Sequence, residues 1–130
     1  MDCFFGTYEL PTDNPFGKAD RLSSVVTFHI PDVGIRFKAP FAGVNADHCD
    51  FASLLALLEF IDSNQKYFSK GTYQIFGNNR RLIEQVNGRL PAPPTFKPLM
   101  EKARKYKDKY GFSLEWIPTD ENTAYDSLLD

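Results

Sequence analysis

A chain of 130 residues with 42% hydrophobic and 25% charged content has the size and make-up of one globular domain, residues 1–130, able to bury a core without staples. Its net charge of −2 gives no global field for nucleic acid, and no apolar run reaches the roughly 18–20 residues that span a bilayer. Met1-Asp2-Cys3-Phe4-Phe5-Gly6 has no basic segment ahead of its short apolar patch, so it does not read as a secretory signal. Cys3 and Cys49 form no spacing pattern, which fits reduced thiols in a cytoplasmic protein.

In chain order, Phe4 to Leu10 is aromatic-rich, stops at Pro11 and suits a buried strand. Thr12-Asp13-Asn14-Pro15-Phe16-Gly17 is turn material. Ser24 to Ile30 is rich in β-branched and aromatic residues, and Pro31 to Gly34 turns it back into the alternating Ile35-Arg36-Phe37-Lys38, which predicts a hairpin. A helix follows, capped by Asp47 or Asp50, with Phe51, Leu54, Leu55, Leu57, Leu58 and Ile61 forming a stripe wide enough to pack on a sheet. Gly71-Thr72 leads into a strand from Tyr73 to Phe76. Asn78 or Asn79 then caps a helix over Arg80 to Val86, and Asn87-Gly88 stops it. After the stiff Pro91, Pro93 and Pro94 comes a helix from Lys97 to Tyr110 with Leu99, Met100, Ala103 and Tyr106 inward, ended by Gly111. Phe112 to Ile117 is the last strand, with Trp116 read as core, and Thr123 to Leu129 is the last helix. The order predicts an α/β fold: a partly parallel five-stranded sheet, joined to an antiparallel hairpin and flanked by helices.

Charge is uneven along this order. Lys97, Lys102, Arg104, Lys105, Lys107 and Lys109 crowd one helix, and Arg80 and Arg81 open another beside Asn78. Either set offers phosphate contacts, or simply a solvated surface. His48-Cys49-Asp50 lacks a second His/Cys pair and does not make a zinc site. There is no phosphate-binding glycine loop and no nucleophile elbow.

Two segments carry more information. Tyr73-Gln74-Ile75-Phe76-Gly77-Asn78-Asn79 ends a strand in a polar pair before a helix, and Glu115-Trp116-Ile117-Pro118 ends another before the polar turn leading to Asn122 and Asp126. In order and spacing they resemble the second half of ribonuclease H-like domains, and the element order extends the resemblance over most of the chain. That family holds two divalent cations on four acids, one each from the first strand, the first helix, the end of the fourth strand and the last helix. Asp50-Phe51-Ala52-Ser53-Leu54-Leu55 is similar to the family's Glu-aromatic-x-Ala-Leu-Leu pattern, which makes Asp50 the first-helix acid, one methylene short. Asp126 matches the final acid, while Asn78 stands where the family has an aspartate. On the first strand Glu9 is the nearest acid. Tyr8 fills the slot equally well when Asn14-Pro15 is aligned to the family's Asn-Pro turn, and Asp13 lies further off.

The resemblance implies a Mg²⁺- or Mn²⁺-dependent nuclease ancestry acting on the RNA strand of an RNA–DNA hybrid, with Asp50, Asp126 and Glu9 as metal ligands and Asn78 assisting. Four carboxylates balance two divalent ions, and here there are three with Glu9 or two without it. The expectation is therefore a degenerate site on a nucleic-acid-binding domain (RNA–DNA hybrid or RNA), with Arg80, Arg81, Lys102, Lys105 and Lys109 as contacts. A non-catalytic protein-interaction module on the same fold is the alternative, and a partner chain supplying the missing acid is a third.

Overall fold

The computed structural model describes residues 1–10, 22–66, 68 and 72–128. The turn read at Thr12 to Gly17, Asp13 within it, Gly71 and Leu129 fall outside the described residues. Five strands, β1 (Asp2–Glu9), β2 (Leu22–Ile30), β3 (Ile35–Gly43), β4 (Gln74–Gly77) and β5 (Ser113–Trp116), form one sheet in the order β3-β2-β1-β4-β5. The pairs β1–β2 and β2–β3 are antiparallel, and β1–β4 and β4–β5 are parallel. This is the expected hairpin joined to a parallel half, and β1 is the strand shared by both.

Three helices follow the sequence closely. α1 (Ala46–Ser63) has no glycine or proline inside it and buries Cys49, Phe51, Leu54, Leu55, Leu57, Leu58 and Ile61. Its cap is Asn45, not Asp47 or Asp50: the Asn45 side chain accepts from the His48 N–H at 2.9 Å. α2 (Arg80–Val86) is capped by Asn79, and α3 (Lys97–Tyr110) stops at Gly111, which takes the left-handed φ of 62°. The closing segment Thr123–Leu128 is a 3-10 helix rather than the α-helix read from the sequence.

Alternation along β2 sorts the two faces of the sheet. Phe28 and Ile30 join the core under α1, with the Phe28 and Phe60 rings 5.4 Å apart. Thr27 and His29 meet the closing 3-10 helix, through Thr27 Oγ1 to Ala124 O (3.3 Å) and His29 Nδ1 to Thr123 Oγ1 (2.7 Å). α1 comes close enough to the sheet for the buried Ser53 hydroxyl to accept from Gly6 N–H at 3.1 Å and to reach the carbonyls of Gly6 and Thr27 at 2.8 and 2.9 Å. Both cysteines are buried and unbonded. Trp116 departs from the expectation of a core residue. It is 40% exposed, its Nε1 donates to Asn78 O at 3.1 Å, and the Arg80 guanidinium lies 4.2 Å above its ring. β5 is an edge strand of the sheet. Among the described residues no helix is long and apolar enough to cross a membrane.

Candidate functional site

The parallel ladder between β1 and β4 runs from Asp2↔Gln74 to Phe4↔Phe76, so two places further on Gly6 lies alongside Asn78. Beyond that point β4 has ended, and the backbone groups of β1 that face it need other partners. The closing segment supplies them. Asn122 Nδ2 donates to Phe5 O at 2.8 Å, and the Tyr125 hydroxyl accepts from Thr7 N–H at 3.1 Å. That hydroxyl also stands 3.0 Å from Thr7 O and 3.1 Å from Asn78 Oδ1, and its one proton serves either acceptor.

Glycine at position 6 is what makes room. A Cβ there would sit 2.5 Å from the Tyr125 hydroxyl oxygen. Asn78 completes the network, donating from Nδ2 to Thr119 Oγ1 at 3.1 Å while its Oδ1 faces Tyr125 and, at 3.4 Å, Asn122 Nδ2. A neutral set of amides and hydroxyls thus ties the ends of β1 and β4 to the closing 3-10 helix. Burial pushes the Tyr125 phenol upward, against the opposing bond to Thr7.

On the α1 side the arrangement is also built on an amide. Asp47 and Asp50 lie three residues apart, on one face of the first helical turns. Asn79 Oδ1 is committed to the Leu82 N–H at 3.1 Å, which turns its Nδ2 toward the two carboxylates, 3.1 Å from Asp47 Oδ1 and 2.7 Å from Asp50 Oδ2. One amide group bridges the two acids. Burial raises the Asp50 carboxyl from its ordinary 3.8 to about 6, against the opposing effect of the Asn79 bond.

Between the two networks is a recess of about 140 Å³ lined by Thr7, Glu9, Cys49, Asp50, Asn78 and Tyr125, among others. Of the sequence-derived site residues, the structure brings Glu9, Asp50 and Asn78 to this recess, with Glu9 exposed at the end of β1. Asp126 is exposed and does not line it. Its charge is felt at His29 on β2, and the neighbouring Tyr125 occupies the recess instead. Arg80 and Arg81 open α2 at the same rim, and Arg81 reaches Asp47 at 3.4 Å. Lys102 and Lys109 lie on α3 and pair with Glu59 and Asp62 of α1, while Lys105 is exposed on the same helix.

These residues do not fit a pair of divalent cations. Two carboxylates line the recess against the four positive charges of two such ions, and one of them already accepts from Asn79. Asn78 offers a neutral oxygen that Tyr125 and Asn122 approach. Thr7 Oγ1 is buried without a partner among the described residues, but a hydroxyl adds no negative charge. Among the described residues no group of three or more His, Cys, Asp or Glu side chains is placed to hold a metal. Sequence reasoning missed Gly6, Asn79 as a bridge, and Tyr125. Only Asn79 had a local signal, its capping position ahead of α2.

No family model matches the sequence, and no curated protein matches it. Solved structures do. LC11-RNase H1, solved with an RNA/DNA hybrid, superposes with a TM-score of 0.70 over 99% of each chain at 15% identity. RNase H1 from Halobacterium salinarum gives 0.70 over 98% of this chain and 92% of its own, also at 15%. The N-terminal RNase H domain of a Mycobacterium tuberculosis protein gives 0.67 over 96% and 88%, at 16%. With its sheet order, its flanking helices and this likeness across nearly its whole length, the chain has the ribonuclease H-like fold.

Proposed function

We propose that this domain binds nucleic acid, an RNA–DNA hybrid or RNA, and does not hydrolyse it. The observation that carries the reading is the replacement of acids by neutral groups at the sheet rim: Gly6 beside Asn78, with the Tyr125 hydroxyl filling the space between them. Hydrolysis by paired metals needs both ions held, and the rim offers too little negative charge for them. Binding needs only the surface around the rim, where Arg80 and Arg81 stand, with Lys105 further along α3. Lys102 and Lys109 contribute once a polyanion competes with Glu59 and Asp62 for them.

Anisotropy of a labelled RNA–DNA hybrid, run beside a cleavage assay, tests this. Binding is expected to weaken steeply with salt, as counterion release requires, to be the same in EDTA, Mg²⁺ or Mn²⁺, and to leave the RNA strand intact. Robust metal-dependent turnover abolished by Asp50→Asn or Asp126→Asn would overturn the reading. A protein-interaction module is the second reading, favoured by the net charge of −2 and by the pairing of α3 lysines with α1 acids. It prevails if neither duplex nor single strand binds at low salt.

A further inference from the structure

Trp116 is the only tryptophan of the chain, and its exposure on an edge strand is not explained by the core. Beside it opens a groove of about 480 Å³, walled by Ile83 of α2, Asn87 at that helix's C-cap, Arg89, Lys107 of α3, Ser113 and the indole itself. This is separate from the recess at Asp50, and it falls within the range of about 300–1,000 Å³ usual for small-ligand sites.

Three features bear on what it takes. The indole is fixed, held by its Nε1 bond to Asn78 O, so it presents a set surface at little conformational cost. Arg80 covers one ring face at 4.2 Å and is not a wall of the groove, which leaves the rest of the ring open toward the cavity. Charge in the walls is balanced: Glu84 and Glu115 stand against Arg89 and Lys107, with Arg89 paired to Glu84 at 3.0 Å and Lys107 bonded to Asn87 Oδ1 at 2.6 Å. A neutral polar groove with an aromatic wall suits a base better than a phosphate. The phosphates have Arg80 and Arg81 at the rim. Along β5, Ser113 and Ile117 direct their N–H groups to β4, so Leu114 and Trp116 direct theirs to the free edge, where they face the groove as donors for base-edge acceptors.

We infer that this groove takes one unpaired nucleotide of the bound strand, its base stacked on the Trp116 indole and its backbone running past Arg80. The inference rests on the nucleic-acid reading above and narrows it to a strand with at least one unpaired base. The experiment is a titration of the unmodified protein with a short oligouridylate and, separately, a blunt RNA–DNA hybrid, reading Trp116 fluorescence and the anisotropy of labelled strands together.

Expected is quenching of Trp116 by the single strand in step with binding. Single-strand affinity is expected to fall about tenfold or more in Trp116→Leu, as loss of one stacked base implies, and to be partly retained in Trp116→Phe. Unchanged fluorescence at saturating oligouridylate, or equal affinity of Trp116→Leu, overturns the inference. If the hybrid binds and the single strand does not, the inference fails and the nucleic-acid reading stands. If neither binds, both fall.

Discussion

The two ends of α1 treat their carboxylates in opposite ways. Toward its C-terminus, Glu59 and Asp62 reach across to Lys102 and Lys109 of α3, and Tyr110 adds its hydroxyl to Asp62. Glu59 and both lysines are exposed and Asp62 is half-buried, and the bonds from Lys109 and then Tyr110 draw the Asp62 carboxyl below its usual range. Toward its N-terminus, Asp50 is half-buried and meets an amide instead of a cation, and burial pushes its carboxyl up. The contrast separates two uses of basic residues. Lys102 and Lys109 of α3, conspicuous in the sequence, pair with acids of the neighbouring helix. The arginines that open α2 stand at the sheet rim, where the fold presents its recess.

The contrast is broken most severely at Asn79. Asn79→Ala removes the cap of α2, worth about 1 kcal/mol, and strips Asp50 of its donor, at about 1–3 kcal/mol for an unsatisfied buried group. Urea unfolding should show a loss of about 2–4 kcal/mol. Asn79→Asp keeps the cap acceptor but sets a third carboxylate against Asp47 and Asp50, and should be destabilised at neutral pH and relieved on acidification.

Asp50 itself sharpens the comparison through pH. In the folded chain it holds its proton up to about pH 6, against 3.8 ordinarily. Between those values the folded state binds more protons than the unfolded, so stability falls as pH rises through the window. Relative to Asp50→Asn, the wild-type chain should lose about 2–3 kcal/mol from below pH 4 to above pH 6, a difference that thermal melts of both proteins across that range would show.

At the rim, Tyr125→Phe leaves the Thr7 backbone without its partner and should cost about 1–2 kcal/mol. Gly6→Ala should cost a similar amount by pushing the phenol aside, and much less when made on top of Tyr125→Ala, so a double-mutant cycle separates crowding from a general strand effect. The smallest effect belongs to the opposite end of α1. Lys102→Ala and Lys109→Ala together should barely move the melting temperature, and what change there is should vanish at high salt, because exposed ion pairs are screened. A large loss there would erase the distinction between the two ends.

Much of this fold was legible because its punctuation is local. Asn79 and Asn87-Gly88 bound α2, Pro91, Pro93 and Pro94 precede α3 and Gly111 ends it, and the observed ranges match those read from the sequence. Asp50 and Asn78 were singled out by their resemblance to the family's motif positions, and both line the recess. The first-strand position stayed open between Glu9 and Tyr8. Its place depends on how β1 slides against β4, and that register is fixed by packing across some seventy residues rather than by neighbours in sequence. Glu9 was the nearest acid and Tyr8 the residue given by aligning Asn14-Pro15; both line the recess, and the register sets Gly6 beside Asn78. The closing segment shows a second limit. A 3-10 helix advances about 120° per residue against about 100° for an α-helix, and over a few residues that shift decides whether position 125 or 126 faces the sheet.

Cys3 carries one further consequence. It lies fully buried on β1, the central strand of the sheet, and burial pushes its thiol from 9.0 up to about 12. At neutral pH the sulfur is protonated and out of reach in the core, so an alkylating reagent can modify it only when the layer packed on the sheet opens. The chain therefore carries its own opening gauge: the rate of Cys3 modification follows the parting of that core from β1, with no label added.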